Sequence, residues 1–297
     1  MRPRNGGTAL SKREDFTPAE TAVRSVLKKY RKEIWAPFIS ASKEYQLIRE
    51  GDVIGVCISG GKDSALLAVL MKQLQRYSDV PFRCEYICMD PGYSPENRRR
   101  IEENMALLEI PVQFFETNIF RVTSKTEKSP CYLCARMRRG HLYSFARSLG
   151  CNKIALGHHF SDVIETTLMG MLWGAQLQAM LPKLHSTNFE GMELIRPLYK
   201  VHEDDIIAWA RYNGLSFLAC ACVMTESAAV DENASKRRQT KTLIRELKKD
   251  NPDVEKNIFG SIHKANIDTM VGYKQQGVKH TFLENYDTLT DGESEET

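Results

Sequence analysis

Long apolar runs are missing from this chain: no stretch of its 297 residues approaches the ~18–20 consecutive apolar residues of a membrane span. The opening segment, MRPRNGGTALSKRED, has basic residues but no apolar stretch behind them, which excludes a secretory signal. The expected location is therefore cytoplasmic, with no membrane partner, and there eight cysteines read as thiols or metal ligands and not as a disulfide framework. An excess of one charge is lacking too: the formal net charge is +3, so no global basicity announces a nucleic acid. Internal repeats and low-complexity segments are absent apart from the two tails. No second C-x-x-C accompanies Cys131 and Cys134, and no H-x₃₋₅-H pair stands in for one, so structural zinc is disfavoured.

What is present is unevenly distributed. Leu283 to Thr297 carries six acidic residues and no basic ones, and reads as a solvated, disordered tail. Positive charge gathers at Arg98–Arg100, at Arg136, Arg138 and Arg139, and along KRRQTKTLIRELKK from Lys236. Taken singly these are ordinary solvated helix faces; together they suit a polyanion. Thr17-Pro18-Ala19-Glu20 is a helix start, with Thr as cap, Pro at the first helical position and Glu reaching back. From position 51 the pattern becomes strand alternating with helix: DVIGVCIS, CEYICMD, VQFFE and KIALG are short apolar strands, each followed by a helical stretch. The fold class expected is α/β, a doubly wound, mostly parallel sheet with a helical C-terminal segment. The expected divisions are a flexible basic tail over 1–16, a helical appendage over 17–50, the α/β domain over 51–222, a mostly helical basic segment over 223–280 and an acidic tail over 281–297.

Ser59-Gly60-Gly61-Lys62-Asp63-Ser64 turns the chain from the first strand into the first helix. Doubly wound sheets bind ligands there, outside the carboxyl ends of the strands. Glycines admit close approach of an anion, and the amides of the helix N-terminus supply partial positive charge. The loop is too short for G-x-x-x-x-G-K-[ST] and lacks the G-x-G-x-x-G spacing. A plain glycine turn would not need serine on both sides together with lysine and aspartate.

The cysteines divide by context. Cys57, Cys84, Cys88 and Cys151 lie in or beside strands and read as small buried hydrophobes. Cys131 and Cys134 are half of a metal site, and Cys220 or Cys222 can complete a three-thiolate set for an iron–sulfur cluster with one open iron. His158 and His159, adjacent in sequence, read as loop or pocket residues and not as joint metal ligands.

SGGKDS after a strand resembles the signature of the PP-loop ATP pyrophosphatases, which split ATP between its α- and β-phosphates and adenylate a substrate. With CYLCARMRRGHLY, KIALGHHFSDVIET, LQAMLPKL, IRPL and the basic RRQ helix, the chain from Thr17 to Ala265 resembles the TtcA-like tRNA 2-thiocytidine synthetases. The resemblance implies that Ser59, Gly60, Gly61, Lys62, Asp63 and Ser64, with Met89 and Gly157, bind ATP, and that Asp63 helps hold Mg²⁺. It implies a [4Fe–4S] cluster on Cys131, Cys134 and a later cysteine; registered on the family's second pair, that ligand is Cys222, with Ala219 in place of the first cysteine and Cys220 an extra. Asp162, Lys62 and Arg138 are the residues expected in catalysis. Ser161 stands where the family's motif has a further aspartate. The implied reaction adenylates the 2-oxygen of a tRNA cytidine, at position 32, and replaces it with sulfur. The implied partners are tRNA, a sulfur donor such as a cysteine desulfurase or free sulfide, and a second copy of the chain. A 2-thiouridine-type or small-molecule thiolase on the same core, and an iron–sulfur or nucleotide sensor without catalysis, are the competing readings.

Overall fold

A computed structural model describes residues 16–119, 130–217, 232–284 and 286, with the backbone alone for 130–135 and 232–235. Two compact units are present, 1–241 and 242–297.

The first unit is built on a six-stranded sheet of order β3-β2-β1-β4-β6-β5. β1 (Val53–Ile58) lies between β2 (Arg83–Asp90) and β4 (Lys153–Ala155), parallel to both. β3 (Val112–Glu116) extends one side, and β6 (Glu193–Ile195) the other, also in parallel. Only β5 (Lys183–His185), against β6, runs antiparallel. Its three residues carry too little pattern to be read as a strand from sequence. The apolar run of β1 is buried on both faces, as its β-branched character predicts: Ile54, Val56 and Ile58 enter one core cluster, and Cys57 enters another with Ile87 and Ile154.

Helices cover both faces. α1 (Pro18–Arg24) starts with the predicted capping box, Glu20 N–H donating to Thr17 Oγ1 at 3.2 Å and Thr17 N–H to Glu20 Oε2 at 2.9 Å. Two π-helical turns, Ser25–Lys29 and Arg31–Trp35, lead into α2 (Ala36–Glu44). The segment differs from the expected appendage. Ala22, Val26, Ile34, Phe38 and Leu47 are buried in the same cluster as Leu66, Leu70 and Trp209. An apolar stripe of that size, worth roughly 1.5–3 kcal/mol per large side chain, is stable only when another element covers it. α3 (Lys62–Tyr77), α4 (Pro95–Leu107), α5 (Pro130–Ser148), α6 (Phe160–Gly174) and α7 (Glu203–Tyr212) complete the layers.

α8 (Glu232–Asp250) begins in the first unit and ends in the second. The second unit also contains α9 (Val254–Ser261) and a hairpin of β7 (Gly272–Gln275) with β8 (Val278–Thr281), followed by a 3₁₀ turn at Phe282–Glu284. Sequence alone reads this stretch as mostly helical. The hairpin turns on Gln276 and Gly277, at φ +49° and +90°, a pair less telling than Asn-Gly. β8 and the 3₁₀ turn reach into the start of the acidic tail expected from 281, of which 285 and 287–297 lie outside the described residues.

Candidate active site

The glycine loop sits where β1 ends. Gly60 takes φ +82°, a left-handed conformation that costs glycine nothing, and Gly61 is the extended N-cap of α3. The flanking serines knit the turn. Ser64 Oγ accepts from Ser59 N–H and Ser59 Oγ, both at 3.1 Å, and donates to the Gly61 carbonyl at 2.9 Å. This accounts for serine at both ends.

A cavity of about 280 Å³ opens beside the loop. Ser59, Asp63, Ser64, Met89, Arg138, Gly157 and Asp162, seven of the expected site residues, line it, as do Tyr93 and His158. A larger depression of about 350 Å³ between α1 and α3 shares no residue with the glycine loop. Gly157 lets the loop after β4 lie against the start of α3: a Cβ there would meet the backbone at Asp63 and Ser64 at 3.1 Å. Asp90 fixes the turn that carries Tyr93, accepting from the Gly92 and Tyr93 amides at 2.8 Å each.

Charges converge on this rim from four elements. Lys62 Nζ lies 3.2 Å from Asp63 Oδ1 and 3.2 Å from Glu203 Oε1, the latter at the first residue of α7. Lys241 pairs with the other oxygen of Glu203. Arg237, one helical turn earlier on α8, donates to Asp162 Oδ1 at 3.0 Å and lies 3.7 Å from Glu165 Oε2. His159 caps α6: Asp162 N–H donates to its Nδ1 at 3.4 Å, and its own N–H donates to Asp162 Oδ2 at 3.1 Å. With Nδ1 accepting, the ring proton sits on Nε2, which lies 3.7 Å from Asp63 Oδ1. Asp63 Oδ1 is buried and makes no hydrogen bond.

The ionisation states follow. Burial would raise Glu203, but the Lys241 hydrogen bond and the charges of Lys62 and Lys241 outweigh it and hold the carboxyl at about 2. Burial lowers Lys62, yet Asp63 and Glu203 together bring it above its ordinary value. Burial pushes His158 down to about 4, so its ring is neutral near pH 7, and pushes Glu165 up to about 7 despite Arg237. The site is thus a cleft lined by two carboxylates and a neutral imidazole, with the Lys62 ammonium fixed beside it.

The PP-loop domain family matches residues 28–222. Among characterised proteins, the chain is 36% identical over 226 residues to the tRNA-cytidine(32) 2-sulfurtransferase of Geobacter sulfurreducens, covering 75% of this chain and 85% of that protein. It is 34% identical over 256 residues to the enzyme of the same name from Acinetobacter baumannii, covering 84% and 80%. This chain belongs to the tRNA-cytidine(32) 2-sulfurtransferase family. In fold it is similar to the U34-tRNA thiolase NcsA from Methanococcus maripaludis, solved with its [4Fe–4S] cluster, at TM-score 0.61 and 19% identity over 77% of this chain and 76% of that one.

For a sulfurtransferase of this family, the placement of the remaining expected residues matters. Cys131 and Cys134 fall in the first turns of α5, which starts at Pro130, earlier than the helix from Ala135 that periodicity suggests. Spacings of three and seven put Cys131, Cys134 and Arg138 on one stripe of that helix, and Arg138 lines the cavity. The candidates for the third ligand, Cys220 and Cys222, lie outside the described residues. Cys57, Cys88 and Cys151 are buried and Cys84 half-buried, all as free thiols. Burial pushes Cys84 and Cys88 up to about 12, so these are inert hydrophobes as expected. Lys62 is directed to Glu203, and it, Gly60 and Gly61 are not among the cavity-lining residues. Ser161, in place of the family's aspartate, accepts from Glu203 N–H at 3.4 Å and so helps start α7. Of the basic clusters, Arg98 is taken up by Asp90 at 2.8 Å and Glu102 at 2.6 Å, and Arg100 by Glu96 at 3.3 Å. No cue in the sequence points to Glu203. It opens an acidic helix turn, and its partners stand far away in the chain.

Proposed function

We propose that this chain is an ATP-dependent tRNA sulfurtransferase that adenylates the 2-oxygen of a tRNA cytidine, position 32, and exchanges it for sulfur. The observation that carries this is that Ser59, Asp63 and Ser64 of the glycine loop and Arg138 of α5, the helix that bears the C-x-x-C pair, line one cavity in a member of that family.

Each residue has a defined part. The Ser59–Ser64 loop and the N-terminus of α3 receive the ATP phosphates. Among the described residues no three His, Cys, Asp or Glu side chains form a metal cage. Mg²⁺ would rest on the Asp63 carboxylate, which lines the cavity, and the nucleotide's own phosphates, the usual arrangement for that ion. The cytidine 2-oxygen attacks the α-phosphorus, and the bond to the β-phosphate oxygen breaks. Lys62 stabilises the negative charge that builds on the departing pyrophosphate. Adenylation converts a poor oxygen leaving group into AMP, which leaves when sulfide adds to the base. Arg138 faces the cavity and offers a fixed cation to phosphate or sulfide. Asp162 has both oxygens engaged, with Arg237 and with His159 N–H, and orients the rim instead of accepting a proton. Neutral His158 presents Nδ1, buried and without a hydrogen bond, to the bound nucleotide.

Cys131, Cys134 and Cys222 would hold a [4Fe–4S] cluster, which when bound supplies an open iron able to carry sulfide. The donor is free sulfide or a cysteine desulfurase, and the working species is a homodimer. The domain division at 222 belongs to the same reading.

The test is an anaerobic preparation assayed for iron, acid-labile sulfide, AMP and pyrophosphate, and for 2-thiocytidine in added tRNA. About four iron and four sulfide per chain are expected, lost in Cys222→Ala, with tRNA-dependent turnover lost in Lys62→Ala. Cluster without ATP turnover would favour the sensor reading. Zinc without sulfide would overturn the cluster and the sulfur chemistry together.

A further inference from the structure

We propose that Glu203 is a positioning residue for the reaction: it holds the Lys62 ammonium over the glycine loop and ties that position to the basic helix α8 through Lys241. The inference rests on the adenylating function proposed above.

The geometry is a carboxylate shared between two ammonium groups. Glu203 Oε1 faces Lys62 Nζ at 3.2 Å and Oε2 binds Lys241, with the Glu203 side chain only 15% exposed. Its own backbone is pinned where α7 begins, its N–H donating to Ser161 Oγ. Acids in the first turn of a helix are favoured by the exposed amides there, which adds to the two lysines in keeping Glu203 ionised. Lysine is a point charge on a flexible four-carbon stem, and without an anchor it samples many rotamers. The other anion at Lys62 is Asp63, a cavity-lining residue whose carboxylate lies 3.2 Å from Nζ. If Asp63 turned to a bound magnesium ion, Glu203 would be the carboxylate left with Lys62. An ammonium has three donors, so one bond to Glu203 leaves two for phosphate oxygens.

The neighbouring charges are arranged to leave this contact undisturbed. Arg237 is taken by Asp162 and Glu165, and His159 Nε2 lies between Asp63 and Asp162. Arg237 and Lys241 are one turn apart on one face of α8, so Asp162 and Glu203 clasp the helix at two successive points. α8 also carries Lys236 and Arg238, on the segment expected to meet a polyanion. A load on α8 is thereby transmitted to Lys62 through a single carboxylate.

The first experiment reads Lys62 without any turnover. Competitive acetylation of the full-length protein, with Lys62 quantified by mass spectrometry, is run on wild type, Glu203→Gln and Glu203→Asp. Removing the anionic partner should make Lys62 several-fold more reactive in Glu203→Gln, with Glu203→Asp, charged but shorter, in between. Unchanged labelling in a folded Glu203→Gln overturns the proposal.

The second is a mutant cycle on tRNA-dependent pyrophosphate release. Glu203→Gln should lower kcat about tenfold and move the KM for ATP by less than about twofold, since a misplaced ammonium is felt mainly as charge develops. In a Lys62→Met background the same change should have no further effect, and Lys241→Met should cost about threefold alone and nothing on top of Glu203→Gln. Independent, multiplying losses overturn the positioning role while leaving the function intact. No AMP or pyrophosphate from wild type overturns the proposed function instead, and the acetylation result still decides Glu203.

Discussion

Two ion clusters stand at opposite ends of the same sheet. At the amino ends of the strands, Lys153 Nζ lies 2.8 Å from Asp52 Oδ2 and 3.1 Å from Glu193 Oε2, and donates to the Leu47 carbonyl at 3.0 Å. The Lys153 side chain is 3% exposed. At the carboxyl ends, Lys62, Asp63 and Glu203 use the same chemistry, but their side chains are 25%, 29% and 15% exposed. The first cluster is closed: its lysine is spent on two carboxylates and a carbonyl. The second is partly exposed, with Asp63 on the wall of the cavity. An ion cluster that serves structure is buried and saturated, and one that serves a ligand stays where the ligand can reach it.

The sharpest way to test the contrast is to remove each lysine. Lys153→Met should destabilise the fold by about 3–5 kcal/mol, because two buried carboxylates lose their shared cation; urea or guanidinium titration measures it. If stability hardly changes, the closed cluster is not structural. Lys62→Ala should leave the denaturation midpoint nearly unchanged and lower turnover about 10²–10³-fold, some 2.7–4 kcal/mol of transition-state stabilisation. A marked loss of stability without loss of rate would reverse the two assignments.

Gly157→Ala addresses the frame of the open end. Its Cβ would press on backbone at Asp63 and Ser64, so a cost of about 1–3 kcal/mol and weaker ATP binding are expected, read by thermal unfolding with and without nucleotide. A smaller effect concerns pH. The Glu165 carboxyl titrates near 4.5 when unfolded and at about 7 in the fold, raised by burial. The folded state therefore holds the extra proton in between. Its contribution to stability is full below pH 4.5 and is lost as pH rises through about 7. Glu165→Gln should flatten that slope in a pH series of unfolding curves, and an unchanged slope would assign it to other groups.

Local features were readable in advance. The Thr17 capping box, the buried run of β1, the glycine turn and the burial of Cys57, Cys88 and Cys151 each depend on residues within a few positions of one another. Seven of the expected site residues do meet at one cavity, because the loop after each parallel strand emerges on the same edge of the sheet. What escaped were pairings across distance. Glu203 meets Lys62 across 141 positions, and Arg237 meets Asp162 across 75. The N-terminal helices looked separable because amphipathic spacing shows that a face is buried without showing against what.

By itself, then, the sequence determined the strand–loop–helix that receives phosphate, the cysteine spacing that invites a cluster, and the family. Tertiary structure alone decided which charges are spent. Arg98 and Arg237 look alike as basic residues on helices, yet Asp90 and Asp162 neutralise them, while Lys62 is held between two carboxylates at the cavity's edge. The reason is physical: helix and turn formation act over a few residues, whereas a salt bridge needs only that two groups come within about 4 Å, wherever the chain has placed them.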